Sequence, residues 1–266
     1  MWYIHYTTDR AKNRGKINMG DSIIAEYHKK IDTLFDDWKR QVGTVQYQEK
    51  RKTQTLRIDH QNGVFIRDGV VCPEQWFLQK VRPLFLLKEA YGGDSDWDLI
   101  ADHLLPTHPR SKMWNRISLW TRGILTTTKE NMAPFIEDDP VAECYGNKYL
   151  KQIAVMNVKK SGGDKSSDMN IIRAYADFDK CRLKEQLELC DPTVIVCGYT
   201  VSTLDIILDQ PVRKEYNQNL AYHITLNGHD VLVLDYWHPA NQYPDIMNYY
   251  GLMSIYQQAL KNKGCN

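Results

Sequence analysis

The sequence predicts an α/β protein, a three-layer α/β/α sandwich with a mainly parallel central sheet. Three observations predict it. Short apolar runs, Leu84-Phe85-Leu86-Leu87, Ile153-Ala154-Val155-Met156 and Val194-Ile195-Val196-Cys197, each give way to a polar residue or glycine, as buried strands running into loops do. Segments with apolar residues at helical spacing separate those runs, the alternation that builds parallel sheets. With 266 residues, 42% of them hydrophobic and 25% charged, the chain can bury a sizeable core and is neither disordered, collagen-like nor fibrous.

Residues 1–60 are polar and weakly periodic and are expected to form a peripheral extension, with the α/β domain over 61–266. Within the extension, Ile24, Tyr27, Ile31 and Leu34 predict a helix over 23–38. The stretch Gln48 to Arg57 is basic and has no apolar face. In the domain, the first strand ends in Lys88-Glu89-Ala90-Tyr91-Gly92-Gly93. Met113, Ile117, Trp120 and Ile124 then mark one helical face, which also favours a core role for Trp114 and Trp120. The second strand ends at Asn157 and runs into a loop over 161–168. Ile171, Tyr175, Phe178, Leu183 and Leu187 predict one long helix, stopped at Asp191-Pro192. The third strand ends at Gly198, and Val201, Leu204, Ile207 and Leu208 predict the next helix. Asn227-Gly228, between two apolar segments, predicts a hairpin over 221–236. The last helix carries Ile246, Tyr250, Met253, Tyr256 and Leu260 on one stripe.

Net charge is +1, yet residues 1–57 carry +5 and the rest −4. A protein that coats phosphate backbone broadly would be more basic, so any nucleic-acid contact is expected to be confined to one patch. The longest apolar runs are four residues, far below the roughly 20 of a bilayer span, and no membrane partner is expected. No secretory h-region occupies residues 1–10, and the last four residues are not a prenylation box. Six cysteines show no C-x-x-C or zinc spacing, so they are expected to be reduced thiols in a cytoplasmic protein, with Cys197 in the core and no metal.

In parallel α/β sheets, ligands bind beyond the carboxyl ends of the strands. That rule singles out Lys88 to Gly93, Asn157 to Gly163 and Tyr236 to Asn241. In this order, the three strand ends resemble the uracil-DNA glycosylase superfamily. Lys88-Glu89-Ala90-Tyr91-Gly92 is similar to the Gly-Glu-Ala-Pro-Gly motif of its iron–sulfur branches. Ile153 to Lys160 resembles their strand ending in Asn and followed by Lys. Leu183, Gln186 and Asp191 to Gly198 resemble their helix, Pro, strand and Gly. His238-Pro239-Ala240 resembles their His-Pro-Ser. The likeness spans about residues 80–260. It implies that fold and hydrolysis of the N-glycosidic bond of a uracil-like or otherwise damaged base, flipped out of DNA into a pocket. It implies DNA as the partner, single- or double-stranded, and no cofactor, since water is the co-substrate.

The resemblance assigns candidate roles residue by residue. Asn157 would pair with the base edge, its amide offering donor and acceptor. His238 would donate to the base oxygen as charge develops there. Glu89 would orient water or stabilise the cationic sugar. Tyr91 would wall the pocket or stack on the base. Lys88, Lys159, Lys160 and Asn241 would meet nucleic acid, Asn241 partly replacing the serine that is Ala240 here. The first motif departs from its pattern at Lys88 and Tyr91, and the cluster-ligand cysteines are missing, so no iron–sulfur cluster is expected. The plain alternatives are a loop carboxylate for Glu89, a turn or cap residue for Asn157, a partly buried histidine held by a backbone carbonyl for His238, packing for Tyr91, and surface charges for Lys159, Lys160 and Lys50-Arg51-Lys52. The last of these would alternatively be a DNA-binding arm. Two rival functions stand beside the glycosylase. One is a non-catalytic nucleic-acid or nucleotide-binding module of the same fold. The other is a GDS-type esterase using Ser22, His238 and Asp235, which requires a buried strand before Gly20.

Overall fold

A computed structural model describes residues 19–107, 109, 111–136, 146–163, 166–213 and 220–262. The chain begins with α1 (Met19–Lys39), the hairpin β1 (Val42–Glu49) and β2 (Lys52–Asp59), and the short β3 (Ile66–Arg67), β4 (Gly69–Val70) and α2 (Pro73–Trp76). Next come β5 (Pro83–Tyr91), β6 (Trp97–Asp98), a π-helical turn (Leu99–Leu104), α3 (Leu105–Thr107), α4 (Lys112–Thr126) and α5 (Gly146–Leu150). The second half runs β7 (Ala154–Gly163), α6 (Met169–Phe178), α7 (Lys180–Cys190), β8 (Val194–Gly198), α8 (Val201–Leu208), β9 (Ala221–Leu226), β10 (His229–Tyr236) and α9 (Asp245–Asn262).

Six strands form the central sheet in the order β4-β7-β5-β8-β10-β9. The inner four, β7, β5, β8 and β10, are parallel, and β4 and β9 flank them antiparallel. Alternate residues of each inner strand face opposite ways. Leu84, Leu86, Met156, Val158, Ile195 and Val233 pack under α1, α6, α7 and α8. Phe85, Leu87, Val155, Val196 and Leu234 pack under α4 and α9. Being covered on both faces explains why these strands read as continuous apolar runs. The expected α/β layering with a mostly parallel sheet is therefore present.

The boundary expected at residue 60 does not divide the packing. Tyr27, Ile31, Leu34, Phe35 and Trp38 of α1 are buried in the same cluster as the sheet. A fully buried aromatic or aliphatic side chain contributes about 1.5–3 kcal/mol, so this helix is part of the core and not a peripheral extension. Residues 1–18 lie outside the described residues.

The long helix expected over 171–187 is two helices. Asp179 breaks it because its buried carboxylate accepts a hydrogen bond from Trp38 Nε1 (2.7 Å) and contacts His60 Nε2 (3.0 Å). Its backbone closes α6 and opens α7. The stop at Asp191 is as expected: the residue has φ 48°, and Arg82 binds its carbonyl and carboxylate. The Asn227-Gly228 turn has φ 48° and 77°, the left-handed pair a two-residue hairpin needs. In α9 the buried stripe is shifted from the expected one. Tyr249, Leu252, Met253 and Tyr256 are inside, while Ile246 and Tyr250 are exposed. Tyr249 is drawn inward because its hydroxyl donates to Ala133 O at 3.0 Å. Cys190 and Cys197 are buried free thiols, and burial pushes the pKa of each upward. Cys144 and Cys265 lie outside the described residues. No described helix is long and apolar enough to cross a membrane.

Candidate functional site

Four parallel strands end along one edge of the sheet, and the chain builds a pocket of about 520 Å³ there. Its walls come from five places. The end of β5 supplies Lys88, Glu89, Ala90 and Tyr91, and the segment after β7 supplies Ser166 and Ser167. Trp97, Leu99 and His103 come from β6 and the π-helical turn, Met113 and Trp114 from the start of α4, and His238, Ala240 and Asn241 from the loop after β10.

Local hydrogen bonds set each wall. Asp98 caps the π-helical turn, its Oδ1 accepting from Ile100 N (2.7 Å) and Ala101 N (3.0 Å). Asp102 returns a carboxylate oxygen to Asp98 N at 2.7 Å. Ser111 caps α4 by accepting from Trp114 N, which brings the Trp114 ring to the pocket within 6.3 Å of the His103 ring. Burial lowers the pKa of His103.

The loop after β10 is held by Arg116, a buried residue of α4. Its guanidinium donates to Pro239 O (2.7 Å), Asn241 O (3.0 Å) and Tyr243 O (3.0 Å), and it pairs with Asp245. Asn241 fastens the same loop. Its Nδ2 donates to His238 O and Asn248 Oδ1, both at 2.8 Å, and its Oδ1 accepts from Tyr243 N at 2.9 Å. His238 is thereby fixed. Its Nδ1 accepts from Ala240 N–H at 3.2 Å, which places the proton of the neutral ring on Nε2. Burial, with Lys88 nearby, lowers its pKa to about 4.

Of the residues expected at the site, Lys88, Glu89, Tyr91, His238 and Asn241 line this pocket. Tyr91 is 69% exposed at the mouth. Lys88 is desolvated, which lowers its pKa, and its ammonium lies 5.0 Å from the Tyr199 ring centre. Glu89 accepts a hydrogen bond from Lys159 Nζ at 2.6 Å, and its side chain is only 7% exposed. Asn241 touches the pocket but spends its amide on the loop, so the expected phosphate contact is corrected to a structural role.

Asn157, Lys159 and Lys160 are corrected too. The strand expected to end at Asn157 continues to Gly163, because β5 and β7 remain paired, with one irregularity, from Leu87↔Asn157 to Tyr91↔Gly163; only the first three residues of the loop expected over 161–168 are strand. Asn157 is mid-strand and buried. Its backbone N–H and its Nδ2 both donate to Asp68 Oδ2, at 2.8 and 3.1 Å, and it is absent from the pocket wall. Lys160 is fully buried against Asp68 Oδ1 at 2.5 Å, so it meets no phosphate. Lys159 is tied to Glu89 and to Gly162 O. Replacing Asn157 with alanine is expected to lower the unfolding free energy by about 1–3 kcal/mol in urea denaturation, the usual cost of leaving a buried acceptor short of a donor. The titration of His238, followed by NMR, is expected to stay unchanged.

The triad of the esterase alternative does not form. Gly20-Asp21-Ser22 lies in the first turn of α1, with no described strand before it. Asp235 faces Arg213 at 3.6 Å, while His238 Nδ1 is taken by Ala240 N–H. Trp97, Leu99, His103, Met113, Trp114, Ser166, Ser167 and Arg116 were not signalled by any motif. Trp114, expected in the core, is buried and also forms pocket wall. Trp120 is core only, stacked on Phe85. Among the described residues no group of three or more His, Cys, Asp and Glu side chains is placed to hold a metal ion. The chain matches no protein-family model and no curated protein.

Proposed function

We propose that this pocket takes up a planar nucleobase extruded from a nucleic-acid strand and supports hydrolysis of its N-glycosidic bond, in the manner of the uracil-DNA glycosylase superfamily that the strand ends resemble. The observation that carries the proposal is His238. A neutral ring with Nδ1 already occupied is left with one donor, Nε2–H, at a pocket walled by Trp97, Trp114 and Tyr91. Aromatic walls suit a flat heterocycle. As the bond between C1′ and the base nitrogen breaks, its electron pair leaves with the base, and Nε2–H stabilises the charge arriving on the base oxygen. Such a preorganised donor supplies about 3–4 kcal/mol. Water then adds to C1′, and the proton it loses ends on the departed base, which leaves a neutral base and the free sugar hydroxyl. Glu89, facing the same pocket, would hold that water through Oε1, since Lys159 occupies Oε2.

The experiment is an incision panel. Single- and double-stranded oligonucleotides carrying uracil, hypoxanthine or xanthine are incubated with the protein and treated with alkali. Strand breaks that vanish in His238→Ala are the expected result. A second reading, a binding module that cleaves nothing, is favoured by one observation: Asn157, the expected base-edge partner, is committed to Asp68. Retention of the oligonucleotides without breaks at any of the three bases would select that reading.

A further inference from the structure

We propose that the β1–β2 hairpin is an arm that tracks the phosphate backbone of the nucleic-acid strand whose base enters the pocket. The inference rests on the proposed function for its partner, and on four independent observations for the arm itself.

The first is direction. Gly43, at the base of the hairpin, lies against the ring of Phe178, the last residue of α6. Val45, two residues further along β1, shares a buried cluster with Ala174 and Tyr175, about one turn nearer the start of α6. The hairpin therefore climbs α6 toward its N-terminus, which follows the carboxyl end of β7. From Val45 to Lys50 the strand advances about 16 Å, while from Ala174 back to Met169 the helix advances about 7.5 Å. At those rises a hairpin that keeps this course extends past the start of α6, toward the edge of the sheet that holds the pocket. Tyr175, under the hairpin, lies 5.6 Å from Lys159 Nζ, which in turn holds Glu89 in the pocket wall.

The second is the tip. Lys50, Arg51 and Lys52 are consecutive and exposed, and none is held by a salt bridge among the described residues. The third is the turn. Lys50 has φ 46° and Arg51 φ 68°, left-handed values that favour Asn-Gly, the pair this chain uses in its other hairpin. Two long cations occupy positions where the backbone alone would select smaller residues. The fourth is the outward face. Val45, Tyr47, Leu56 and Ile58 pack inward on α6. The alternate residues Thr44, Gln46, Gln48, Thr53, Thr55 and Arg57 are exposed; the carboxylate of this face, Asp59, sits at the base paired with Arg57, and near the tip Glu49 stands opposite Lys52 on the other face. Neutral hydrogen-bonding groups leading to three cations match a phosphodiester chain.

The test replaces Lys50→Asn, Arg51→Gly and Lys52→Thr together, which removes three charges while giving the turn its preferred residues, so the hairpin keeps its fold. Binding of undamaged 20-mers is read by fluorescence anisotropy across a salt series. The triple variant is expected to bind about 10–100-fold more weakly at low salt, with the slope of log K against log salt shallower by about 2. An unchanged slope and affinity overturns the arm. So does a wild-type protein that ignores oligonucleotides or prefers anionic vesicles. Incision separates the two proposals. If wild-type binding depends on the arm but no base is released, the glycosidic reading fails and the arm stands. If base is released and the variant binds as the wild type does, the arm fails and the glycosidic reading stands.

Discussion

Replacing His238 with alanine is expected to slow base release by about 10²–10³-fold, the cost of removing one preorganised donor from a developing oxyanion. The wild-type rate is expected to hold level from pH 8 down to about pH 5 and to fall only as His238 charges near pH 4. The lowered pKa is part of the device. An imidazolium would favour ionic contacts in the ground state, whereas a neutral Nε2–H strengthens its hydrogen bond as the base acquires charge. The same shift predicts a stability effect with a defined sign. An unfolded histidine titrates near 6.5, and the folded ring near 4. Between these values the unfolded chain binds a proton that the native state does not. Stability is therefore fully present above about pH 6.5 and declines as pH falls toward 4, by about 3 kcal/mol in all. In His238→Ala that component of the slope disappears from urea midpoints measured at pH 7 and pH 4.5. A lower limb of the rate profile at pH 6.5, or an NMR titration of the ring there, would contradict the account.

The two kinds of legibility differ in physical origin. Sheet strands were legible wherever both faces are covered by helices, because burial on both sides forces an unbroken apolar run. Leu84–Leu87, Ile153–Met156 and Val194–Cys197 declare themselves this way, and Asn227-Gly228 declares its hairpin through backbone sterics alone. The ends of β5 and β7 were not legible, whereas β8 ends at Gly198 and β10 at Tyr236 as expected. β7 continues through Asn157, Lys159 and Lys160, polar residues that normally signal a loop, because their partners Asp68 and Glu89 arrive from 89, 92 and 70 residues away. A lone Asp between Arg67 and Gly69 carries no local sign of such a role. The site divides along the same line. Glu89, Tyr91 and His238 abut the apolar strands and could be found. Leu99 and His103 lie on a π-helical turn whose wide hydrogen-bond pattern hides the helical period, and Trp97 lies on the two-residue strand β6 just before it. Arg116 reads as a surface charge of α4, and only the fold shows it gathering the loop that carries His238.

Asp68→Asn is expected to lower the unfolding free energy by about 3–5 kcal/mol, the largest single-residue loss we foresee outside the apolar core. The carboxylate is wholly buried and every acceptor site is used. Oδ2 takes the backbone N–H and Nδ2 of Asn157, and Oδ1 takes Lys160 Nζ at 2.5 Å and Gln186 Nε2 at 2.8 Å. Lys160 is equally buried, with Phe35 and Trp38 5.8 and 5.2 Å from its ammonium. Burial lowers its pKa, and the Asp68 carboxylate is the largest of the influences that oppose that shift. Asparagine matches the shape of Asp68 but leaves that cation unpaired, and the amide cannot restore the Coulombic term. The loss is therefore expected to be conditional. In Asp68→Asn combined with Lys160→Met neither charge is present, and stability is expected to return to within about 1–2 kcal/mol of the wild type, a strong non-additivity in a double-mutant cycle. Guanidinium unfolding of the four proteins checks it, and a single Asp68→Asn cost below 1 kcal/mol would refute it. The network also reaches the pocket through one strand. Asp68 fixes β7 at Asn157 and Lys160, and the residue between Val158 and Lys160 is Lys159, which holds Glu89 at the wall. Loosening the buried pair is thus expected to free Glu89, whereas the neutral double variant keeps β7 in register and Glu89 in place.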